Sequence, residues 1–522
     1  MQQGSRSKQL LEWSSNERLR SWGATLFVFV CALSLFCFHN GFRLGLHPDE
    51  LNKIAAILQD RSYYMHPLFM TEAARFAIWS LGVSDPQIAI QVGRILSALM
   101  GAVAVAALFL LLLRRAGLFA ALVVSLAALA APLLAVHAHY LKEDVWLLPF
   151  CVFTAITFGR LAERPRPALV ILLGIWVGLA VSSKAIGVFL MPVLLVAAFL
   201  QAATIRSRLL KSVLQATAIA VVVVPLVNLR MLFDYDRALA ELTGEIRHST
   251  MGHWDSVAFP LGYHLTHSLW MGFGPVLLVL GLVGLVLTFL RWPSSGPVDR
   301  MMAVYALVYY AAIETSPLKP WPDVARYALP LIVPLAYFAG CTIEASGRWF
   351  VRLSHPRLAS EAATVAIALA LLPTAVTGVR LVRELEADTR LVAEKMLTGK
   401  ASQLVTESYG TSIGFQVLAL GMLTPQMIGP NIQYLVASSF LYDRFAIAAS
   451  VGGTQNANAA GVWAEYQSIF KLPHCEIRPR FMSYGFSNPT IRIIDLLAAR
   501  SSNSKDWPSD TRVCTENFIR VD

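Results

Sequence analysis

Long apolar runs alternate with short polar segments along residues 24–380 of the chain. A helix that crosses a bilayer needs about 20 mostly apolar residues, and about eleven runs approach that length. The runs lie near 24–42, 87–113, 117–136, 144–160, 168–182, 185–203, 212–232, 270–290, 301–316, 327–345 and 362–380. This pattern predicts an α-helical polytopic membrane protein with about eleven transmembrane helices.

The segment 381–522 has a different pattern, with shorter apolar stretches and more polar positions. Residues 433–438 and 490–495 are typical of strands, and 382–397 is typical of a helix. We therefore expect a small C-terminal α/β soluble domain. The predicted organisation is an N-terminal segment (1–23), a transmembrane module (24–380) with long outer loops (43–86 and 233–269), and the C-terminal domain (381–522).

Composition agrees with a membrane protein, because 56% of the 522 residues are hydrophobic and only 15% are charged. Soluble domains are about one quarter charged, so an ordinary soluble enzyme is excluded, as is a mostly disordered chain. The net charge is +10, but the sequence has no basic face interleaved with aromatic residues. Nucleic acid is therefore not an expected partner. Six cysteines are too few for a disulfide-built fold, although Cys475 and Cys514 could form one disulfide or remain free thiols.

Basic residues precede the first apolar run and recur in every second loop. They are Arg6, Lys8, Arg18 and Arg20; Arg114 and Arg115; Arg160, Arg164 and Arg166; Arg206, Arg208 and Lys211; Arg291 and Arg300; and Arg348, Arg352 and Arg357. The positive-inside rule places these loops in the cytoplasm, and an odd number of spans then places the C-terminal domain outside. The chain has no Asn-X-Ser/Thr sequon, which favours a bacterial inner membrane with a periplasmic C-terminal domain.

Two adjacent carboxylates, Asp49 and Glu50, follow the first predicted span. The apolar spacing of residues 51–58 predicts a short amphipathic helix on the membrane surface, with the two acids in its first turn. Acidic residues are common at helix N-termini because of the helix dipole, so a structural role is one interpretation. Neighbouring helical residues point about 100° apart, so one acid could face a cavity while the other holds the loop.

Further ionisable residues lie at three other predicted outer turns. They are His137, His139, Lys142, Glu143 and Asp144; Lys184; and Glu314, Lys319 and Arg326. A shared depth at one membrane face favours a site for an amphiphile, with an anionic head group against Lys142, Lys184 and Arg326. Each cation alone could instead snorkel to the interface. His137 and His139 could bind a metal with Glu143 or Asp144, or serve as hydrogen-bonded interface histidines.

The order of five short motifs resembles the GT-C glycosyltransferases, and most of all the bacterial relatives of the dolichyl-phosphate-mannose protein mannosyltransferases (glycosyltransferase family 39). The motifs are His47-Pro48-Asp49-Glu50 with Asn52-Lys53-Ile54-Ala55 and His66-Pro67-Leu68-Phe69; Lys142-Glu143-Asp144; Ser183-Lys184; Arg326-Tyr327-Ala328-Leu329-Pro330; and residues 433–444 with Phe486-Ser487-Asn488-Pro489. Together they span most of the chain.

This resemblance implies a transferase that moves a sugar from a polyprenyl-phosphate donor to an acceptor hydroxyl at the outer face, with inversion. It implies that Asp49, with Glu50 beside it, acts on the acceptor, and that Glu143 or Asp144 lies near the donor. Lys142, Lys184 and Arg326 are the implied phosphate ligands. A divalent metal, Mg²⁺ or Mn²⁺, is left open as a cofactor. The central loop near His253 and Trp254 carries no motif of the family.

Two other classes of protein remain as alternatives. A polytopic transporter or lipid flippase would place charges near the midplane in two related halves, whereas these charges cluster at one face. A non-catalytic subunit with the same fold is the other alternative, although both acidic loops and Lys184 are present. The sequence identifies neither the sugar nor the acceptor, which could be a glycan, a lipid or a protein.

Overall fold

A computed structural model describes residues 15–251, 261–317, 319, 325–350, 356–423, 428–453 and 456–497. The helices up to the C-terminal unit are α1 (Ser15–Cys37), α2 (Pro48–Leu58), α3 (Phe69–Ser80), α4 (Pro86–Leu129), α5 (Pro132–His137), α6 (Glu143–Glu163), α7 (Pro167–Ser183), α8 (Leu190–Phe199), α9 (Ala203–Val227), α10 (Leu229–Phe233), α11 (Tyr235–Met251), α12 (Trp270–Gly272), α13 (Pro275–Leu290), α14 (Pro297–Thr315), α15 (Ile332–Phe350) and α16 (Pro356–Arg383). The C-terminal unit adds α17 (Thr389–Met396), α18 (Ser439–Val451) and α19 (Ala457–Ile469).

Each predicted apolar run coincides with a helix of the bundle. Among the described residues, six helices are long and apolar enough to cross a membrane, and three shorter ones are strongly apolar. The protein is therefore a multi-pass membrane protein with the predicted fold class. The second and third runs form one helix, α4, interrupted at Gly117, where φ is +83° and ψ is 171°. Only glycine adopts this backbone conformation readily.

The bundle is held together by apolar packing around α4 and α6. Helix α4 contacts α1, α6 and α15, and α6 also packs on α7. Close helix contacts occur at small residues: a Cβ at Gly174 would lie 2.6 Å from the carbonyl oxygen of Ala216 on α9. Small residues let membrane helices approach closely, and this closeness increases their van der Waals contact.

The C-terminal unit contains a five-stranded sheet in the order β2-β1-β3-β5-β4. The strands are β1 (Leu404–Glu407), β2 (Phe415–Val417), β3 (Tyr434–Ser438), β4 (His474–Ile477) and β5 (Ile491–Asp495). β1 is parallel to β2 and β3, whereas β5 is antiparallel to β3 and β4. Apolar side chains of α18 and α19 cover one face of the sheet. The two predicted strands, 433–438 and 490–495, are confirmed by β3 and β5.

The predicted helix at 382–397 is wrong as a single element. Helix α16 ends at Arg383, and α17 begins only at Thr389. Asp388 interrupts the helix because it has an extended backbone and caps α17, its carboxylate accepting from the Arg390 N–H at 2.9 Å. In the same unit, Cys475 lies on β4 and is disulfide-bonded, whereas Cys514 lies outside the described residues.

Contacts between the predicted cytoplasmic loops show that they share one end of the bundle. The Arg115 Nε lies 2.9 Å from the Asp299 carboxylate, and Arg208 donates to the Ala162 carbonyl at 3.0 Å. Arg300 donates to the Leu200 carbonyl at 2.8 Å. We call this end, defined by residues 114–117, 160–166, 200–208 and 291–300, the basic end.

The C-terminal unit sits on the opposite end of the bundle. Arg390 donates to the Leu46 carbonyl at 2.8 Å, just before α2. The His39 ring lies 2.7 Å from the Glu386 carboxylate, and Arg43 pairs with Glu394. We call this the charged end, because the ionisable residues of the four predicted outer turns lie there.

Candidate functional site

The two adjacent carboxylates after the first span have different surroundings. Glu50 is fully buried, and the Arg94 guanidinium clamps it through two contacts of 2.6 and 3.0 Å. Glu50 also accepts from the Leu141 N–H at 3.0 Å, which ties α2 to the turn before α6. Arg94 in turn donates to the Phe42 carbonyl at 2.5 Å and lies over the Phe42 ring. Glu50 is therefore fully engaged in holding the loop.

Asp49 points to a more open place, because its side chain is 30% exposed. Its backbone N–H donates to the His47 Nδ1 at 3.2 Å, since His47 is the N-cap of α2. Its carboxylate pairs with the Lys142 ammonium. The two acids therefore have different surroundings, with Asp49 partly exposed and Glu50 buried and holding the loop.

The turn before α6 brings a second set of ion pairs to Asp49. The Lys142 Nζ lies 3.7 Å from the Glu143 Oε2, and the Lys53 Nζ lies 2.6 Å from the Glu143 Oε1. Lys53 also donates to the Leu141 carbonyl at 3.4 Å. Lys53 and Glu143 are both buried, so this pair crosslinks α2 to α6 without access to solvent.

Asp144, the other acid of this turn, faces two cations from distant elements. It pairs with Lys184, which follows α7, and its Oδ2 lies 4.0 Å from the Arg326 Nε. The Lys184 ammonium lies 4.7 Å from the centre of the Tyr327 ring. The Arg326 guanidinium lies 5.5 Å from the Phe486 ring, which belongs to the C-terminal unit. The three predicted phosphate ligands thus meet in one place.

Several buried polar atoms in this cluster lack a hydrogen-bond partner within the described part of the protein. They are the His47 Nε2, both ring nitrogens of His137, the Asp144 Oδ2, and the Arg326 Nε and Nη1. Buried polar groups in folded proteins are nearly always hydrogen-bonded, to protein or to water. Their concentration at one place therefore indicates a polar space that accommodates water or ligand atoms.

Opposite charges around Asp49 control its ionisation. Burial favours the neutral acid, but the nearby cations, above all Lys142, outweigh burial and hold the pKa of Asp49 well below its usual range. Lys142 is likewise held in its charged form, because Asp49 and the acids at 143–144 raise its pKa against the effect of burial. Asp49 and Lys142 are therefore both ionised at neutral pH.

The histidines of the site are neutral. Burial lowers the pKa of His47 well below its usual value, and it lowers the pKa of His137 to about 3. Each neutral ring can donate one hydrogen bond and accept another. Among the described residues of the cluster, four cations (Lys53, Lys142, Lys184 and Arg326) then face three carboxylates (Asp49, Glu143 and Asp144), which leaves one positive charge in excess.

His139 was predicted either to bind a metal or to serve as a hydrogen-bonded interface histidine, and its surroundings favour the second role. Its Nδ1 lies 2.6 Å from the Ala135 carbonyl oxygen, and its Nε2 lies 2.9 Å from the Phe38 carbonyl oxygen. Both ring nitrogens face backbone carbonyl oxygens, so neither is directed toward His137 or an acid. Within the described ranges, no group of three or more His, Cys, Asp or Glu side chains could hold a metal ion.

Some predicted residues lie apart from the cluster. Glu314 accepts hydrogen bonds from the backbone N–H groups of residues 262–264, so it fixes the start of the π-helix His264–Leu269. It also pairs with Lys319. Arg230 pairs with the exposed Asp60 at 2.8 Å. His253 and Trp254 lie outside the described residues.

Three residues of the cluster were not singled out in the sequence. Lys53 and His66 are near Glu143, and burial lowers the pKa of His66 to about 4. Phe486 contacts both Arg326 and the His47 ring, at 5.5 and 4.4 Å. All three belong to the motifs of the family resemblance, which was the available signal. Local periodicity could not identify them because their partners are far away in sequence.

A bundle of apolar helices with this charged end, covered by a small α/β unit, has the GT-C fold of membrane glycosyltransferases. Residues 87–229 match the family model described as dolichyl-phosphate-mannose-protein mannosyltransferase. This match, which covers just over a quarter of the chain, confirms the predicted resemblance to the GT-C glycosyltransferases. No curated protein sequence matches the chain significantly.

Two solved proteins illustrate the fold similarity. The structure of ArnT from Cupriavidus metallidurans bound to undecaprenyl phosphate is 14% identical, with 92% of this chain and 98% of that chain covered and a TM-score of 0.51. The Archaeoglobus fulgidus oligosaccharyltransferase tethered to an acceptor peptide is 11% identical in sequence. The match covers 90% of this chain and 74% of that chain, with a TM-score of 0.54. At these identities the similarity shows the fold alone.

Proposed function

We propose that this protein transfers a sugar from a polyprenyl-phosphate donor to an acceptor hydroxyl at the charged end of the bundle. In this proposal the charged end and the C-terminal unit (381–522) face the periplasm of a bacterial cell, and the basic end faces the cytoplasm. The observation that carries the proposal is the convergence of Asp49, Lys142, Lys184 and Arg326 around buried polar atoms without partners.

The three cations would hold the phosphate of the donor. When the bond between the sugar C1 and the phosphate oxygen breaks, its electron pair goes to that oxygen, and nearby cations stabilise the charge. Lys142, Lys184 and Arg326 come from three different elements, so they can surround one phosphate group. A phosphate is already a good leaving group, so the reaction does not need a general acid.

Asp49 would orient the acceptor and receive its proton. The acceptor oxygen attacks C1 on the face opposite the phosphate, which inverts the anomeric centre, and its proton passes to the Asp49 carboxylate. Because Lys142 holds the pKa of Asp49 low, Asp49 alone is a weak base. Movement of Lys142 from Asp49 to an arriving donor phosphate would raise the basicity of Asp49 at the moment when it is needed.

The charge of the cluster favours a monophosphate-linked donor. A sugar joined to a lipid through one phosphate is a phosphodiester with a single negative charge, which balances the one positive charge in excess. A diphosphate-linked donor would bring two negative charges and leave one uncompensated in a buried place, at considerable cost. The ArnT structure, which contains undecaprenyl phosphate, supports the same class of carrier lipid.

Glu50 and Glu143 have positioning roles in this proposal. Glu50 holds Arg94 and the Leu141 backbone, and Glu143 holds Lys53, so these pairs fix Asp49 and Lys142 on their respective helices. Asp144 holds Lys184 near Arg326, which makes it the acid closest to the proposed phosphate. The acceptor is a hydroxyl of a glycan, a lipid or a protein.

A transfer assay tests the proposal. The purified protein would be incubated with radiolabelled polyprenyl-phosphate sugars and with a membrane extract as the acceptor, with and without EDTA to test for a metal requirement. We expect a labelled product that requires the lipid donor and is lost in Asp49→Asn. Asp60→Asn is the matched control, because Asp60 is exposed and pairs with Arg75 and Arg230 outside the cluster.

Three results would contradict the proposal. Unchanged turnover in purified Asp49→Asn would remove the assigned role of Asp49. Uptake or flipping of the lipid by proteoliposomes without any glycosyl product would favour the transporter or flippase alternative. Binding of the donor without transfer of its sugar to any acceptor would favour a non-catalytic subunit.

A further inference from the structure

A polar cavity lies at the basic end, far from the charged cluster. It has a volume of about 340 Å³ and is bounded by α13, α15, the start of α14 and the interruption of α4. Its lining includes Arg115, Gly284, Leu287, Arg291 and Asp299. Asp299 is near the start of α14 and Glu314 is near its end, so the 19-residue helix separates the two regions by roughly 25 Å.

The cavity is a consequence of how α13 packs on α15. A Cβ at Gly284 would lie 2.3 Å from the Phe338 carbonyl oxygen, so the two helices touch backbone to backbone there. One turn further along α13, Leu287 and Thr288 face Ala345 across the cavity. The cavity therefore opens between two membrane helices at the end where their apolar segments stop.

The acid in this cavity is fully engaged by the protein. The Asp299 carboxylate accepts from the Arg115 Nε at 2.9 Å, from the Tyr337 hydroxyl at 2.6 Å and from the Gly296 N–H at 2.9 Å. Arg291 is exposed at the rim and has no ion pair with any described residue. Among the described residues that line the cavity, Arg115 is paired with Asp299, which leaves Arg291 as the cation for a ligand.

The surface beside the cavity is apolar. Leu290 is 74% exposed and Val286 is 55% exposed on the outer side of α13. A ligand that neutralises Arg291 can therefore place a hydrocarbon chain along α13 without leaving the apolar surface. An ion without an apolar part could contact Arg291 but would leave the apolar surface of α13 uncovered.

We infer that the cavity at the basic end binds the phosphate of an anionic phospholipid, with Arg291 as its principal contact and the acyl chains along α13. Basic pockets between membrane helices are a recurrent way to recognise anionic lipid head groups. The head group has one negative charge, which matches the charge of the cavity. This inference does not depend on the proposed transferase activity.

Lipid-dependent thermal stability tests the inference. The full chain in detergent would be unfolded with added phosphatidylglycerol, phosphatidylcholine or inorganic phosphate, for wild type, Arg291→Gln and Arg164→Gln. Arg164 is the matched control, because it is an exposed arginine at the same end but outside the cavity. We expect phosphatidylglycerol to raise the unfolding midpoint more than phosphatidylcholine, and Arg291→Gln to lose at least half of this gain while Arg164→Gln retains it.

Native mass spectrometry of the same proteins gives a second measurement. We expect fewer phosphatidylglycerol adducts on Arg291→Gln than on wild type or Arg164→Gln. An equal gain in stability for all three proteins would overturn the inference. An equal gain from inorganic phosphate would also overturn it, because the cavity would then recognise a free ion and not a lipid.

Discussion

The charged end and the basic end of the bundle both contain buried ions, but the described acids at the two ends differ in how completely the protein binds them. At the basic end, the Asp299 carboxylate is bound by Arg115, the Tyr337 hydroxyl and a backbone N–H. At the charged end, Asp144, Arg326 and His137 have buried atoms with no partner in the described protein. A satisfied network stabilises a fold, whereas an unsatisfied one is ready for a ligand.

The same contrast exists within the charged end, between the two adjacent acids. Glu50 is bound by Arg94 and the Leu141 backbone, whereas Asp49 is partly exposed and pairs with Lys142, which also contacts Glu143. Adjacency in sequence therefore says little about shared function on a helix, because the two side chains point in different directions.

The largest effect on stability is expected for Glu50→Gln. This change leaves the fully buried Arg94 without its counter-ion, and breaking a buried pair in this way costs about 3–5 kcal/mol. Asp49→Asn should change the unfolding free energy by less than half as much, since Asp49 is partly exposed. Chemical unfolding of both variants in detergent would measure this difference, and equal losses would remove the distinction between the two acids.

A large effect on activity is expected for Arg326→Gln. Loss of one cation at the developing phosphate charge should lower kcat about 10²-fold, with little change in stability. Arg230→Gln is the control, since Arg230 pairs with Asp60 and Glu72 away from the cluster. Transfer assays on both variants would measure this difference in kcat. Equal activity of Arg326→Gln and Arg230→Gln would mean that Arg326 does not contact the phosphate.

A smaller effect is expected at the basic end for Tyr337→Phe. This change removes one of the three hydrogen-bond donors to Asp299, which should cost about 1.5–3 kcal/mol of stability. Specific transfer activity of the folded variant should remain that of wild type, because Asp299 lies roughly 25 Å from the charged end, along the length of α14. A loss of activity without a loss of stability would show that the two ends are coupled.

A pH dependence is expected in the C-terminal unit. Burial raises the pKa of Glu407 to about 8, against the hydrogen bonds from Tyr466 and from the Ser438 and Leu420 backbone. The folded state therefore holds a proton that the unfolded state releases above its ordinary pKa of about 4.3. The stability contribution of this group is fully present below that value and is lost as the pH rises toward about 8.

The variant Glu407→Gln isolates this contribution. Its unfolding midpoint should fall less than that of wild type as the pH is raised from 5 to 8, because glutamine has no proton to release. Thermal unfolding of both proteins across this range is the measurement. Parallel curves for the two proteins would show that Glu407 is ionised in the folded state and that the shift in its pKa is absent.

Much of the fold could be predicted because it depends on local pattern. Apolar runs identified the bundle helices, and short apolar stretches identified β3 and β5. The helix predicted at 382–397 was wrong because Asp388 has a long-range partner, the backbone N–H of Asn488, which local periodicity does not reveal. The interruption at Gly117 did not remove the helical pattern on either side of it.

The candidate site was predictable only in part, for the same reason. The turns that hold Asp49, Lys142, Lys184 and Arg326 were expected at one face, and they do meet there. The pairing of Glu50 with Arg94 and of Lys53 with Glu143 joins residues far apart in sequence, so it depends on how the helices pack. Glu314 and Lys319 shared the predicted depth but serve to fix the π-helix.

The most direct test of the central claim is a structure of the protein with a polyprenyl-phosphate sugar bound. The account predicts the phosphate within hydrogen-bond distance of Arg326 and of at least one of Lys142 and Lys184, with the sugar C1 turned toward Asp49. In that complex, the Lys142 ammonium should lie closer to the phosphate than to Asp49. A phosphate bound elsewhere, with the Asp49–Lys142 pair intact and the Arg326 atoms still without partners, would contradict the account.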